Sequence, residues 1–115
     1  MIIQFNTDSN IESNPELVQE INATIENSLE HYESRITRVE VHLRDENTEK
    51  RPGNQDIRCL LEARLSGLQP IAVSDTSTTL KQAVDGAVEK LKHSLETTIG
   101  RLENHNHLGH PLPPS

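Results

Sequence analysis

Apolar residues recur at helical spacing in two long segments of the chain, and each segment predicts an amphipathic helix. In the first, Asn14-Pro15-Glu16 is typical of a helix start, because Asn caps free backbone amides and Pro suits the first turn. This pattern predicts a helix from about Pro15 to Glu33. Its apolar face is formed by Leu17, Ile21, Ile25, Leu29 and Tyr32.

The second helix is predicted towards the C-terminal end. Its start is assigned to Ser74-Asp75-Thr76, whose side chains can cap a helix. Within it, Gly86 indicates close packing against a neighbouring element, whereas Gly100 indicates fraying. The apolar stripe consists of Leu80, Val84, Ala87, Leu91, Leu95 and Leu102, widened by Val88 and Ile99.

Four shorter segments have the character of β-strands. Ile2 to Phe5 predicts a short first strand, and Ile71 with Val73 predicts a short fourth strand after a tight reversal at Gly67. Two longer segments between them alternate apolar and polar residues, which is the period of a half-buried strand. The charged connection between these two, residues 45–55, predicts a long hairpin with a mobile tip. The alternating apolar positions are Val39, Val41 and Leu43 in one strand and Ile57, Cys59, Leu61, Ala63 and Leu65 in the other.

The order of these elements predicts an α+β fold with the sequence β-α-β-β-β-α. The first helix would be a right-handed crossover between two parallel strands, and both helices would pack on one face of a four-stranded mixed sheet. We expect one domain over residues 1–102. Residues 103–115 lack a periodic pattern and predict a disordered tail that contains His and Pro.

The other face of the sheet would be open and would carry several cations. Long cationic side chains can reach phosphate oxygens, so these residues are candidates for contact with nucleic acid. The alternative is a solvated face in which the arginines pair with Glu40 and Glu62. The candidate cations are Arg38, Arg44, Arg58 and Arg64, with Leu60 as the apolar exception among them.

Composition narrows the choice of function. The 115 residues have a net charge of −7, which opposes nonspecific attraction to a phosphate backbone. The single cysteine, Cys59, lies in an apolar alternation and is interpreted as a reduced core thiol rather than a reactive one. With no secretory signal and no apolar stretch long enough to span a bilayer, we expect a cytoplasmic protein without membrane contacts.

Three segments of the chain resemble the ribosome hibernation-promoting factor and ribosome-associated inhibitor family, also called the sigma-54 modulation protein family, in its short form. They are Arg35 to Leu43, Glu62 to Leu65 with Gly67, and Ala83 to Leu95. Together they extend across most of residues 1–102. The resemblance rests on the order of the elements and on these segments at suitable separations.

This resemblance implies a fold similar to a double-stranded RNA-binding domain and two partners, the small ribosomal subunit and its 16S rRNA. A protein bound in the decoding channel would occlude messenger and transfer RNA, and would modulate or silence translation under stress or in stationary phase. Lys90 is the position that best matches the basic pattern of the family, and Lys81 and Lys92 are further candidates on the same helix. Lys92 is also four residues from Glu96, which alternatively predicts an ordinary surface ion pair.

A different class of function stays open beside this one. The segment from residue 14 to residue 34 has no Lys or Arg, which favours an acidic protein–protein interaction module or a self-associating regulator that does not bind RNA. A homodimer through Leu60 and a free sheet edge is part of that alternative. The acidic residues of this segment are Glu16, Glu20, Glu26, Glu30 and Glu33.

Catalysis is not predicted. The sequence has no phosphate-binding loop, no nucleophile with a matching base and no set of metal ligands at a recognised spacing, so we expect no enzyme activity and no cofactor. His105, His107 and His110 are imidazoles in a segment without fixed geometry, and are interpreted as part of the tail rather than as a metal site. His42 is interpreted as a residue of the strand surface.

Overall fold

The computed structural model describes residues 1–7, 14–45 and 56–108, with side chains described through residue 101. The order of the elements confirms the predicted α+β fold and adds a 3₁₀ helix after the first α-helix. The elements are β1 (Ile2–Thr7), α1 (Pro15–Ser28), the 3₁₀ helix (Glu30–Arg35), β2 (Ile36–Asp45), β3 (Ile57–Leu65), β4 (Ile71–Ser77) and α2 (Leu80–Leu108).

The four strands form one mixed sheet in the order β1-β2-β3-β4. β1 runs parallel to β2, and the other two pairs are antiparallel, as the sequence pattern predicts. The inward side chains of the sheet share a single core with both helices. The helices therefore cover one face of the sheet and leave the other face open, which we call the outer face.

The core consists mainly of the predicted apolar positions of β2, β3 and the two helices, to which the structure adds Ile36 and Ala83. The predicted positions Leu17, Tyr32, Ile57 and Leu80 are only partly buried. Each helix contributes side chains that are fully removed from solvent, such as Ile25 in α1 and Leu91 in α2. Truncating a buried Leu or Ile to Ala costs about 2–5 kcal/mol, so these positions hold the two layers together. The buried set is Ile21, Ile25, Leu29, Ile36, Val39, Val41, Leu43, Cys59, Leu61, Ala63, Leu65, Ala83, Val84, Ala87, Val88, Leu91, Leu95 and Ile99.

The first helix begins where predicted and ends earlier than predicted. The Oδ1 atom of Asn14 accepts a hydrogen bond from the backbone N–H of Leu17 at 2.8 Å, which confirms the N-cap. The extension to Glu33 is wrong, because the α-helix ends at Ser28 and the chain tightens into the 3₁₀ helix. There the N–H of Tyr32 donates to the carbonyl of Leu29 at 2.9 Å, an i to i+3 bond that satisfies a carbonyl group at the helix end.

The boundary between β4 and α2 also differs from the sequence prediction. Ser74 and Asp75 pair with Leu60 and Cys59 in the β-ladder, so they belong to the strand and do not start the helix. α2 begins at Leu80, where the Oγ1 atom of Thr79 accepts a hydrogen bond from the N–H of Gln82 at 3.2 Å. Polar side chains that can cap a helix also suit an edge strand, and pairing with β3 decides between the two.

α2 continues to Leu108 and so includes the first residues of the segment predicted to be a tail. The predicted hairpin tip at residues 46–55 and the rest of the tail at residues 109–115 lie outside the described residues. None of the described helices combines the length and the apolar character that crossing a membrane requires.

Gly86 brings α2 close to β4. A Cβ atom built at this position would overlap the carboxylate of Asp75, whereas a Cβ at Gly100 would meet no atom within 4 Å. The predicted role of Gly86 in close packing is therefore confirmed. The absent side chain leaves space for an inward-facing carboxylate between helix and sheet.

We expect Gly86→Ala and Asp75→Ala to be energetically coupled. Ala is favoured over Gly in a helix by about 1 kcal/mol. As long as Asp75 is present, however, the new methyl group of Gly86→Ala must displace the Asp75 carboxylate. Once Asp75→Ala has removed that carboxylate, Gly86→Ala should be more favourable for the unfolding free energy than it is when Asp75 is present. A double-mutant cycle of unfolding free energies should give a coupling of about 0.5–3 kcal/mol.

Gly100→Ala is the matched control, because it has the same helix preference without the overlap. It should stabilise the protein by up to about 1 kcal/mol in both backgrounds. Additive effects of Gly86→Ala and Asp75→Ala would show that the close approach has no energetic consequence.

Cys59 lies fully buried in β3, directly opposite Asp75 of β4. Burial raises the pKa of its thiol to about 12, and the negative charge of Asp75 acts in the same direction. The thiol therefore stays protonated near neutral pH. It packs as a small apolar side chain, as the sequence predicts.

This shift predicts a loss of stability at alkaline pH. The unfolded chain releases the thiol proton near pH 9 while the folded chain keeps it, so the stabilisation is complete below pH 9 and decreases as the pH rises towards 12. The difference in unfolding free energy between the wild type and Cys59→Ala, measured with urea, should shrink by up to roughly 1.4 kcal/mol per pH unit. A difference that is constant with pH would contradict the assignment.

Candidate nucleic-acid interface

The candidate cations of the two central strands all lie on the outer face, which confirms the prediction from strand alternation. At three of four outer positions, the antiparallel register places residues of like charge opposite each other along β2 and β3. We call the eight outer residues of these strands the arginine face. Its cross-strand pairs, in order, are Arg38 with Arg64, Glu40 with Glu62, His42 with Leu60 and Arg44 with Arg58.

The four arginines form two pairs rather than one cluster. Arg38 and Arg44 are six positions apart on β2, which corresponds to about 20 Å along a strand. Like charges directly opposite each other in a sheet are destabilising, so each pair gains from an anion placed between its members. The two ends of the face differ in the residues that lie next to the arginine pair.

At one end the protein supplies its own anion. The Nε atom of Arg64 lies 3.5 Å from the Oε2 atom of Glu40, which is the diagonal neighbour and not the directly opposite residue. The Glu40 side chain is only 17% exposed, so its carboxylate lies within the face. The predicted pairing of the arginines with glutamates is therefore present for Arg64.

At the other end the neighbouring pair is His42 with Leu60, and no carboxylate occupies the corresponding place. The Nη2 atom of Arg58 donates to the Oγ atom of Ser74 at 3.5 Å, which holds this guanidinium over β4. Arg44 is exposed and forms no ion pair with any residue that the structure describes. Of this pair, Arg44 is exposed and Arg58 is half-buried.

His42 lies between the two ends. Its Nε2 atom is 3.6 Å from the Oε1 atom of Glu62, close enough for an ion pair when the ring is protonated but too long for a hydrogen bond. Within the described structure the same atom is buried and has no hydrogen-bond partner. The imidazole therefore keeps an unused polar atom beside Leu60.

The three candidate lysines lie on α2, on the helix side of the sheet. The Nζ atom of Lys90 donates to the backbone carbonyl of Ser74 at 2.9 Å and to the Oδ1 atom of Asp75 at 3.0 Å. It therefore binds the edge strand β4, which is a role the sequence did not indicate. Lys81 is exposed and Lys92 is half-buried.

The surface ion pair predicted between Lys92 and Glu96 is absent from the described side chains. Spacing of four residues places two side chains on one helix face but does not force them into contact. In this helix the ion pair forms instead between α2 and β4, through Lys90 and Asp75.

The structure adds residues to the site that the sequence did not indicate. β1 pairs with β2 so that Asn6 is opposite His42 and Thr7 is opposite Leu43. Only the parallel register brings β1 to this end of the arginine face, and no local pattern in the sequence reports that register. Asn6 and Thr7 are uncharged, so composition gave no signal for them either.

The described residues contain no group of three or more His, Cys, Asp or Glu side chains arranged to hold a metal ion. The side chains of His105, His107 and His110 lie outside the described part of the chain. Self-association through Leu60 and a sheet edge stays a prediction. Leu60 is partly buried on the outer face, and Ile2 of the edge strand β1 is 66% exposed.

The fold and its exposed cations define the class of the protein: a small α+β domain with two helices on one side of a mixed sheet and a charged open face on the other. The chain belongs to the family described as sigma 54 modulation protein / S30EA ribosomal protein, which matches residues 3–103. This match confirms the resemblance inferred from the three sequence segments. Comparison with curated proteins found no match.

Two solved structures have a similar fold. The N-terminal domain of Protein Y from Thermus thermophilus has a TM-score of 0.68 and 18% identity, with 85% of this chain and 99% of that chain covered. A ribosomal subunit interface protein from Coxiella burnetii has a TM-score of 0.64 and 19% identity, with 87% of this chain and 99% of that chain covered. At these identities the two structures establish the fold.

We expect Lys90 and Lys92 to differ in their effect on stability. Lys90→Gln removes the ion pair with Asp75, which is worth about 0.2–1 kcal/mol because the Lys90 side chain is 55% exposed. Lys92→Gln should change the unfolding free energy by less than about 0.5 kcal/mol. Urea denaturation of both variants measures the difference, which should shrink as salt is added. Equal effects of the two substitutions would show that the contact of Lys90 with β4 does not stabilise the fold.

Proposed function

We propose that this protein binds the small ribosomal subunit, contacts 16S rRNA and modulates or silences translation under stress or in stationary phase. The observation that carries the proposal is the placement of four arginines on one open face of an otherwise acidic chain. Membership of a family whose description includes a ribosomal protein, and the likeness to a ribosomal subunit interface protein, support it. Neither description names an enzyme.

The distribution of charge favours an approach through the arginine face. Four arginines against two glutamates give this face a net charge of +2, although the whole chain has −7. The first helix and the 3₁₀ helix lie on the other side and have the opposite sign. Their acidic residues are Glu16, Glu20, Glu26, Glu30 and Glu33. A phosphate backbone is therefore attracted to the sheet side and repelled from α1.

The lysines of α2 add a second, weaker surface. Because the helices cover the face opposite the arginines, a flat partner cannot contact both sets at once. A channel lined by RNA can contact both sets, with one wall against the arginine face and another wall against Lys81 and Lys92. Lys90 would then have to exchange its contact with Asp75 for one with phosphate.

A protein bound in this way acts by excluding other ligands and needs no chemical step. Occupation of the decoding channel would prevent messenger and transfer RNA from entering it. This mode of action requires cations that can reach phosphates, and the arginines of the arginine face support it. We propose that this action takes place in the cytoplasm.

The proposal is tested by co-sedimentation with 30S and 70S particles over a range of salt concentrations. Wild-type protein should bind at low salt and dissociate as salt rises, because each phosphate contact releases counterions. The double variant Arg44→Gln/Arg64→Gln should bind more weakly. Its slope of log affinity against log salt should be flatter by roughly 0.7–0.9 for each lost contact.

The matched control is Lys81→Gln/Lys92→Gln, which removes the same charge from the helix side. If this control loses more ribosome affinity than the arginine variant does, the main RNA contact lies on α2 and not on the arginine face. Absence of wild-type protein from the ribosomal fraction at low salt would refute the proposal and favour the acidic interaction module. Circular dichroism of each variant checks that the fold is retained.

A further inference from the structure

The edge strand β1 has no charged residue, whereas β2, β3 and β4 each have at least one. Its sequence from Ile2 to Thr7 also has no proline, and its register with β2 is continuous. Among the elements that the structure describes, β1 pairs with β2 alone. Charged side chains, proline and bulges are the usual features that keep an exposed strand edge from pairing with another chain. The outer edge of β1 is therefore able to accept a further strand.

The opposite edge of the sheet, at β4, is protected in two ways. Asp75 directs a charged side chain towards the helix layer, and an inward-facing charge is one of the features that prevent pairing between edges. The Nζ atom of Lys90 donates to the backbone carbonyl of Ser74 at 2.9 Å, so α2 covers this strand and occupies one of its main-chain acceptors. The two edges of the sheet therefore differ, and β1 is the edge without these protective contacts.

The apolar side chains of β1 are only partly covered within one chain. Ile3 and Phe5 lie opposite the buried residues Val39 and Val41 and so face the helix layer, where they pack against the core but stay partly exposed. On the outer face, Ile2 is 66% exposed, and it is the large apolar residue most open to solvent in the described part of the chain. A strand added beside β1 would cover these side chains, and burial of apolar surface is favourable.

A second copy of this chain fits the edge of β1. Two copies with a net charge of −7 each repel one another, and this repulsion opposes contact least at a segment that has no charge. Antiparallel pairing about a two-fold axis at Gln4 places Ile3 opposite Phe5 of the partner subunit, and the symmetry repeats that contact. Opposed side chains in an antiparallel pair share one face, so this register joins apolar inner residues and keeps both helix layers on one side.

We propose that this protein forms a symmetric dimer in which the β1 edges of two copies pair antiparallel and join the two sheets into one. Gln4 lies at the two-fold axis, and the two arginine faces lie on the same side of the joined sheet. A six-residue strand forms a small interface, so the dimer is weak and depends on concentration. The association uses none of the arginines and does not rest on the proposed ribosomal function.

The test is sedimentation equilibrium of the full-length protein at concentrations up to about 1 mM. The mean mass should rise towards that of a dimer as the concentration increases. Amide hydrogen exchange of residues 2–7 should slow over the same range, because new main-chain hydrogen bonds form there. Added salt should strengthen the association, since it screens the repulsion between two acidic chains. Binding to RNA should weaken with salt, so the two processes are separable.

Gln4→Lys should weaken the dimer about fivefold or more, because it places two like charges directly opposite each other at the two-fold axis. Gln4 is exposed and lies opposite Glu40 of β2, so a lysine at this position is compatible with the folded monomer. Gln4→Glu should weaken the dimer in the same way. A mixture of the two variants should form a heterodimer that is tighter than either homodimer, because the opposed charges are then complementary.

Ala72→Lys is the matched control. Ala72 is exposed on the other edge strand and lies opposite Glu62, as Gln4 lies opposite Glu40. Its dimer affinity should stay close to that of the wild type, and circular dichroism checks that each variant is folded. A monomeric mass at every concentration would overturn the proposal, as would equal losses from Gln4→Lys and Ala72→Lys or a mixture that forms no heterodimer. Slower exchange of residues 2–7 only in the presence of ribosomes would assign the edge to a different partner and would also overturn it.

Discussion

The pairing of β2 with β3 is the constraint on which the rest of the structure depends. In its antiparallel register, Val39 faces Ala63, Val41 faces Leu61 and Leu43 faces Cys59, and all six side chains are buried. The alternate positions of the same strands carry the charged residues of the arginine face. A slip of one residue would move every one of these side chains to the opposite face, so the core fixes the register. The arrangement of the outer charges is a consequence of that choice.

The helices decide which face remains open. The apolar side chains of α2 between Ala83 and Ile99 are buried against the inner face of the sheet, and α1 contributes to the same core. Gly86 allows α2 to approach β4 closely enough to enclose the Asp75 carboxylate, which Lys90 then neutralises. The lysine for which the family resemblance implies RNA contact therefore also links the helix to the edge strand. In the proposed function the two roles would compete for one ammonium group, which is why we propose the arginine face for the main RNA contact.

The two ends of the arginine face differ, although each end carries an opposed pair of arginines. Both ends carry a pair of opposed arginines, but Glu40 and Glu62 lie next to one pair while His42 and Leu60 lie next to the other. At one end Glu40 approaches Arg64 to 3.5 Å, and at the other the arginines lie beside a ring and an apolar side chain. The acidic residues of the first helix lie on the opposite side of the molecule from these arginines.

The sequence by itself determined the order of the elements, the buried face of each strand and helix, the N-cap at Asn14 and the placement of the four arginines on one face. These features follow from periodicity and local capping, which a linear pattern records completely. Tertiary structure decided where α1 gives way to the 3₁₀ helix, that Asp75 belongs to β4 and not to a helix cap, and which charges become neighbours. It also brought Asn6 beside His42 and joined Lys90 to Asp75. Such pairings depend on strand register and on the distance between layers, and residues that are remote in sequence carry no local signal of either.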